Sequence, residues 1–187
     1  MMQHISPTPE PLARVVLLVV SGLPGTGKSY FSRRMVERVP LTIVETDAMR
    51  KVLFPFPAHN GAENGRLFKA CHTLIEYLLR GGTSVLFDAT NLVEHNRERL
   101  YNIAHKTNSK LIMVRVEVPP EVAEERLRKR EEGDGDEGNS AADISVYRRM
   151  VSLVEPIRRN HFAVDTSKDI TPVIDKIIRA MNRWIRA

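Results

Sequence analysis

The sequence lacks most of what a disulfide-stabilised, zinc-binding or membrane-spanning protein needs. One cysteine among 187 residues permits no internal disulfide. The histidines are scattered and, together with that cysteine, do not show the spacing of a structural zinc site. The apolar run nearest the start, residues 15–20, is far too short to cross a bilayer. We therefore expect a soluble, cytoplasmic protein without a structural zinc ion or a membrane anchor.

Aromatic residues are also scarce, at 6% of the chain, and no aromatic-rich segment suggests a base-stacking surface. The net charge of +5 would suit an anionic partner, but many soluble proteins are equally basic. The C-terminal segment carries basic residues at helical spacing. A basic stripe of this kind could follow phosphates, but it is more often the solvent-exposed face of an amphipathic helix. The residues of the stripe are Lys176, Arg179, Arg183 and Arg186.

Short β-branched segments alternate with segments of helical period, which is the pattern of a parallel sheet covered by helices. The predicted strands are residues 15–20, 42–45, 84–87, 111–117 and 162–164. The predicted helices are residues 28–38, 63–80, 94–106, 120–130 and 144–158, with a last helix after Thr171 and Pro172. The pattern predicts an α/β fold with a mostly parallel five-stranded sheet and helices on both faces.

Two segments interrupt this pattern. Residues 1–13 contain three prolines and are predicted to be a loose N-terminal tail, which leaves residues 14–187 as one domain. Residues 131–142 are acidic and glycine-rich. They form either a solvated connection or part of a mobile lid, for which we set bounds of about 126–143.

A phosphate-binding motif follows the first predicted strand, because residues 22–29 fit G-x-x-x-x-G-K-[ST] between a strand and a helix. Glycines let backbone N–H groups turn inward around phosphate oxygens, and the start of the helix adds a positive dipole. Lys28 would contact the β and γ phosphates and Ser29 would bind Mg²⁺. The alternative is a glycine-rich turn with a chance lysine. The predicted nucleotide-binding residues here are Gly22, Leu23, Pro24, Gly25, Thr26, Gly27, Lys28, Ser29 and Tyr30.

Asp88 stands at the end of the strand SVLFD. In a nucleotide-binding protein with this loop, a carboxylate at that place holds Mg²⁺, usually through water. The alternative is that Asp88 only caps the following turn. We predict ATP and Mg²⁺ as cofactors, with Ser29 and Asp88 as the metal-binding residues.

The segment ETDAMR, residues 45–50, places a carboxylate and a guanidinium one helical turn apart at the same sheet edge as the phosphate loop. A GTPase is not expected, because the chain has no D-x-x-G after the strand that ends in Asp88 and no N-K-x-D motif. A small kinase fits. In a kinase, Asp47 can take the proton of an acceptor hydroxyl and Arg50 can pair with an anion on the acceptor. The alternative is that Asp47 caps a helix and Arg50 lies on the surface.

GLPGTGKSYF, TDAMR, DATN and ERLRKRE occur in this order, and together they resemble a family of P-loop kinases. The family is related to the kinase domain of polynucleotide 5′-hydroxyl kinases and includes seryl-tRNA kinases, zeta-toxin-like and antibiotic phosphotransferases and AAA-domain-type kinases. The resemblance covers most of residues 15–156. It implies a three-layer P-loop NTPase fold with a mobile lid.

The resemblance also implies roles for individual residues. Asp47 would be the general base and Arg50 the clamp on an acceptor phosphate. Thr90 and Asn91 would organise substrate beside the metal-binding Asp88. Two further residues would be lid arginines on the ATP phosphates, or else part of a solvated basic face. These are Arg126 and Arg130.

Three functions stay open at this point. The leading one is transfer of the ATP γ-phosphoryl group to the 5′-hydroxyl of a polynucleotide or oligonucleotide. The acidic segment weighs against this acceptor, because it would repel a polyanion. The second is a small-molecule kinase acting on an antibiotic, a sugar acid or a nucleotide sugar. The third is a slow ATPase that acts as a nucleotide-dependent binding module. The acceptor pocket is expected from residues 54–66 and from the segment after Asn139, neither of which carries a recognisable motif.

Overall fold

Five parallel strands form the sheet of this protein, whose structure is a computed structural model describing residues 14–58, 60–132 and 143–186. The strands are β1 Val16–Ser21, β2 Thr42–Glu45, β3 Val85–Asp88, β4 Lys110–Glu117 and β5 His161–Asp165. Their order across the sheet is β2-β3-β1-β4-β5, and every pairing is parallel. The predicted five-stranded sheet is therefore confirmed, and within the described ranges it is parallel throughout.

Helices cover both faces of the sheet. They are α1 Lys28–Val36, α2 Thr46–Leu53, α3 Gly61–Arg80, α4 Glu94–Lys106, α5 Pro120–Glu131, α6 Ile144–Val151 and α7 Thr171–Arg186. Side chains alternate between the faces of a strand. Thus Leu17 packs with the cluster that includes α3 and α4, whereas Leu18 packs with the cluster that includes α1 and α7. The predicted three-layer α/β architecture is confirmed.

Two helices differ most from the sequence prediction. Residues 46–50 of ETDAMR begin a separate helix, α2, which the periodicity analysis did not delimit. The helix predicted over residues 144–158 ends at Val151. Pro156 explains part of the difference, because proline lacks an N–H and disfavours helical backbone in the residue before it.

Some predicted segments fall outside the described residues. These are the tail, residues 1–13, and residues 133–142 of the acidic segment, which include most of the predicted lid. No helix in the described ranges is both long and apolar enough to cross a membrane.

Candidate active site

The phosphate loop connects β1 to α1 in a left-handed backbone conformation at two glycines. Gly25 has φ 78° and Gly27 has φ 85°, values that residues with a Cβ rarely adopt. Space is restricted as well, because a Cβ on Gly25 would lie 2.7 Å from the carbonyl oxygen of Ala123 in α5. A Cβ on Gly27 would lie 2.7 Å from Oγ1 of Thr166. Both glycines are thus required by conformation and by packing.

Thr166 and Arg126 stabilise the phosphate loop through hydrogen bonds. Thr166 Oγ1 donates to the carbonyl of Thr26 at 2.7 Å. Arg126 donates to Oγ1 of Thr166 at 2.8 Å and to its carbonyl oxygen at 3.0 Å, and lies 3.4 Å from the carbonyl of Gly25. In this structure the guanidinium of Arg126 therefore bonds to the loop and to the segment after β5. Thr166 was not predicted from sequence, because a threonine after a strand carries no motif.

Lys28 is the first residue of α1, and charged groups of both signs surround its amine. Its Nζ donates to the carbonyl of Leu23 at 3.0 Å. Burial lowers the pKa of Lys28, while the carboxylates of Asp88, Asp47 and Glu45 act in the opposite direction. Arg130 adds to the lowering. A lysine held among carboxylates at the start of a helix can bind phosphate oxygens without leaving its position.

A cavity of about 580 Å³ opens at the carboxyl edge of the sheet beside the phosphate loop. Six residues predicted from sequence to act in catalysis, metal binding or substrate binding line it, and so do residues of α3 and α6. The lining residues are Pro24, Lys28, Ser29, Glu45, Thr46, Asp47, Arg50, Asn64, Asp88, Ala89, Thr90, Val146, Arg149, Met150 and Leu153. The structure thus brings together groups from five separate stretches of the chain.

Asp88 lies at the floor of this region and is 3% exposed. Burial raises the pKa of its carboxyl, while Lys28 and a hydrogen bond from Ser32 lower it. Ser32 Oγ donates to Asp88 Oδ2 at 2.9 Å. Ser29 Oγ lies 3.5 Å from Oε1 of Glu45, the register partner of Asp88 in the sheet.

This donor set suits a magnesium ion that arrives with a nucleotide. Within the described ranges there is no cluster of three or more His, Cys, Asp or Glu side chains able to hold a metal unaided. Magnesium in phosphoryl-transfer sites takes one or two protein oxygens and completes its shell with phosphates and water. Ser29 and Asp88 can supply those oxygens.

Asp47 lies in the first turn of α2 and not at its cap. The helix begins at Thr46, and the preceding residue, Glu45, makes no side-chain cap hydrogen bond. Asp47 lines the cavity instead. The alternative that Asp47 serves as a helix cap is therefore not what the structure contains.

Arg50 lines the same cavity but is already paired. Its guanidinium forms an ion pair with Glu63 and donates to Oδ1 of Asn64 at 2.6 Å. Both partners lie in the first turns of α3, which begins at Gly61, earlier than the sequence predicts. An acceptor anion at Arg50 would have to share the guanidinium with these partners.

Asn91 and Tyr30 are among the predicted site residues that do not line the cavity. Asn91 is 1% exposed, and its amide donates to the carbonyl of Val20 in β1 at 2.7 Å. It fixes the loop after β3, in a left-handed conformation with φ 44°. Tyr30 is 45% exposed on α1 and does not line the cavity.

Arg130, in the last turn of α5, has a buried polar group without a partner among the described residues. Its Nε is buried and has no hydrogen-bond partner among the described residues. Since Arg130 also shifts the pKa of Lys28, this guanidinium lies within electrostatic range of the phosphate loop. The arrangement is consistent with a contact to phosphate, the contact predicted for it from sequence.

Sequence analysis missed a buried arginine that joins two walls of the site. Arg97 of α4 is 0% exposed. It donates to the carbonyls of Asn91 and Leu92 after β3, and to those of Glu155 and Pro156 after α6, at 2.7 to 3.0 Å. These bonds fix the chain beyond α6 against the loop that carries Thr90.

A five-stranded parallel sheet with a glycine-rich loop between β1 and α1 defines a P-loop nucleotide-binding protein of the α/β class. Residues 17–157 match the family model AAA_33, described as an AAA domain. The chain belongs to that family.

Solved structures with the same fold include several kinases. A candidate kinase from Chloroflexus aurantiacus aligns with TM-score 0.71 and 19% identity, over 88% of this chain and 97% of the other. The APS kinase CysC of Mycobacterium tuberculosis, in complex with AMPPNP and APS, aligns with TM-score 0.68 and 16% identity, over 90% and 98%. A chain of the Pnkp1/Rnl/Hen1 RNA repair complex aligns with TM-score 0.63 and 23% identity, over 78% and 45%. No curated protein matches the chain by sequence. The resemblance to P-loop kinases noted from sequence is thus confirmed at the level of fold.

Proposed function

We propose that this protein is an ATP-dependent kinase that transfers the γ-phosphoryl group to an acceptor hydroxyl. One observation carries the proposal. A single cavity contains the phosphate-loop lysine, Lys28, the buried acid Asp88 and a second acid, Asp47, that no helix cap explains. Phosphoryl transfer needs these three elements: a fixed cation on the phosphates, an acid that holds Mg²⁺, and a base for the acceptor.

Each residue has a proposed task. The phosphate loop binds ATP, with Lys28 and Arg130 balancing charge on the transferred group. Ser29 and Asp88 hold Mg²⁺, which when bound neutralises phosphate oxygens. Asp47 accepts the hydroxyl proton as the acceptor oxygen attacks. Arg126 acts mainly by holding the loop in shape, since its hydrogen bonds go to Thr166.

The leading acceptor is the 5′-hydroxyl end of a polynucleotide or oligonucleotide. The acceptor side of the cavity combines two kinds of surface. Arg50 and Arg149 supply positive charge, while Val146, Met150 and Leu153 supply an apolar wall. A nucleoside end with its 3′-phosphate would place a base on the apolar wall and an anion near the guanidinium groups. The fold shared with a chain of an RNA repair complex is compatible with this acceptor.

A small-molecule acceptor is the second candidate, favoured by the ion pair between Arg50 and Glu63. Because Glu63 already neutralises this guanidinium, a strongly anionic acceptor gains less there than at a free arginine. A compact polyol or sugar acid would need only hydrogen bonds to Asp47 and Asn64.

Transfer of label from γ-labelled ATP decides among these acceptors. The protein is incubated with 5′-hydroxyl oligonucleotides, with sugar acids and aminoglycosides, and with no acceptor. Label on oligonucleotide supports the leading proposal, and label on a small hydroxyl compound supports the second. Release of free phosphate alone in every arm would contradict the kinase assignment. The Lys28→Ala variant is the control, because it loses the fixed cation and should transfer no label.

A further inference from the structure

A second cavity, of about 790 Å³, lies on the flank of the sheet between β5 and α7. It is lined by Phe162, Lys176, Arg179, Asn182, Arg183 and Arg186. We call this set of residues the basic groove. All five α7 residues are exposed, and they repeat at intervals that place them on one helix face.

The cations of the basic groove are unpaired. None of the lysine and arginine side chains of the basic groove forms an ion pair with another residue that the structure describes. Several other surface cations of the protein are paired, such as Arg38 with Asp175 and Arg148 with Glu124. Asp175 is the one acidic residue of α7, and its bond to Arg38 of the α1–β2 connection directs it away from the groove. Four like charges without counter-charges produce a strongly positive surface.

The groove also has an apolar component. Phe162 of β5 is half-buried, with one part packed against the core cluster of α1 and α7. β5 is one of the two edge strands of the described sheet and pairs with β4 alone. A partly exposed aromatic ring beside arginine side chains is the arrangement on which proteins stack unpaired bases while binding the backbone.

We propose that the basic groove binds single-stranded nucleic acid, with phosphates along α7 and a base on Phe162. The cations from Lys176 to Arg186 extend over about 15 Å of helix, enough for more than one phosphate. An anionic membrane fits less well, because the apolar side of α7 is packed into the core through Ile174, Ile177 and Met181 and cannot insert into lipid.

The groove is separate from the candidate active site. Trp184 Nε1 donates to the carbonyl of Val15, the residue before β1, at the amino edge of the sheet. The end of α7 that carries Arg183 and Arg186 is therefore opposite the edge that carries the phosphate loop. The proposal does not require that the phosphoryl acceptor be nucleic acid.

Fluorescence anisotropy with a short oligouridylate tests the groove. The dye is attached at the 5′ end, so that no free 5′-hydroxyl can enter the active site, and ATP is omitted. For wild type, a plot of the logarithm of the binding constant against the logarithm of the salt concentration should have a slope that approaches about −2.8 for four phosphates, at about −0.7 each. In Arg179→Ala/Arg183→Ala the magnitude of this slope should be smaller by about 1.4, and binding at low salt should be weaker. Phe162→Leu keeps an apolar side chain and should weaken binding at least about fivefold without changing the slope.

The matched control is Lys69→Ala/Lys106→Ala, which removes the same charge from exposed positions on α3 and α4, the helices that cover the other face of the sheet. This variant should bind the oligonucleotide like wild type. Equal losses in both double variants would show a non-specific charge effect and overturn the proposal. Failure of wild type to bind the oligonucleotide would also overturn the proposal. So would a result in which Arg179→Ala/Arg183→Ala loses binding to phosphatidylserine vesicles but keeps its binding to oligonucleotide. ATP-dependent label transfer to the shortest acceptor that takes up label should be unchanged in Arg179→Ala/Arg183→Ala. Failure of the groove proposal would therefore leave the kinase proposal intact, and the reverse also holds.

Discussion

Asp47 is one of three carboxylates around Lys28, and its neutral isostere separates catalysis from stability. Asp47→Asn keeps the shape of the side chain but cannot take a proton. We expect melting temperature and ATP affinity close to wild type, with single-turnover transfer reduced about a hundredfold or more. The comparison variant is Glu45→Gln, in the same cavity. Full activity in Asp47→Asn with loss in Glu45→Gln would move the base to Glu45.

Arg50 combines a structural and a proposed binding task, and a double variant distinguishes them. Arg50→Ala should raise the acceptor KM about thirtyfold, equivalent to about 2 kcal/mol for a charged hydrogen bond. It should also lower the melting temperature, because the buried carboxylate of Glu63 loses its ion pair with Arg50. Arg50→Ala/Glu63→Gln should recover stability but not acceptor affinity. If it recovers both, Arg50 only holds α2 against α3.

His72 makes the stability of the fold dependent on pH. Burial lowers the pKa of His72 to about 4, with a smaller contribution from Arg99. Between about pH 6.5 and 4 the unfolded chain binds a proton at this position that the folded chain does not. The free energy of unfolding should therefore fall as pH decreases through this window. In thermal melts, wild type should lose stability relative to His72→Phe, which retains packing against Phe68 and Phe87, as pH falls from 7 to 5. A gap independent of pH would contradict the prediction.

At the scale of elements, α5 and the segment after β5 act together on the phosphate loop. Arg126→Ala removes the bonds to Thr166 and should weaken ATP binding about tenfold, since the loop loses its support. Thr166→Val keeps the side-chain shape but loses the hydroxyl that bonds to Thr26, and should weaken binding in the same direction. ATP affinity is measured by titration calorimetry. Unchanged affinity with lost turnover in Arg126→Ala would instead favour the phosphate contact that the family resemblance implies.

Local sequence signals predict some of these elements and site residues, whereas others depend on tertiary contacts. The order of strands and helices and the phosphate loop follow from local signals, namely β-branched runs, helical period and glycine spacing. Arg97 does not, because nothing near it in sequence distinguishes a fully buried arginine from an exposed one. Arg149 does not either, because its place in the cavity wall depends on how α6 packs in the folded protein. The pairing of Arg50 with Glu63 depends on how α2 packs on α3, which is a tertiary contact. Asn91 was placed in the site by its motif, whereas its side chain turns inward to β1.

For the whole molecule, nucleotide binding should be visible as stabilisation. A ligand that binds the folded state alone adds about 2.7 kcal/mol at one hundred times its Kd. For a chain of this size we expect a rise in melting temperature of about 5 to 10 °C with Mg²⁺ and ATP. The rise should be small in Lys28→Ala. Absence of any shift in wild type at saturating nucleotide would contradict the proposed use of ATP.

The bond between Thr166 and the phosphate loop has a consequence for the timing of biosynthesis. The loop is translated well before its partner in that hydrogen bond, which is separated from Thr26 by 140 positions. At about 5 to 20 residues per second, a ribosome needs roughly 7 to 28 s to add that stretch. A nascent chain therefore carries the complete glycine motif long before it has the support for the loop. We expect it to gain its affinity for nucleotide only when β5 and the residue after it have left the exit tunnel.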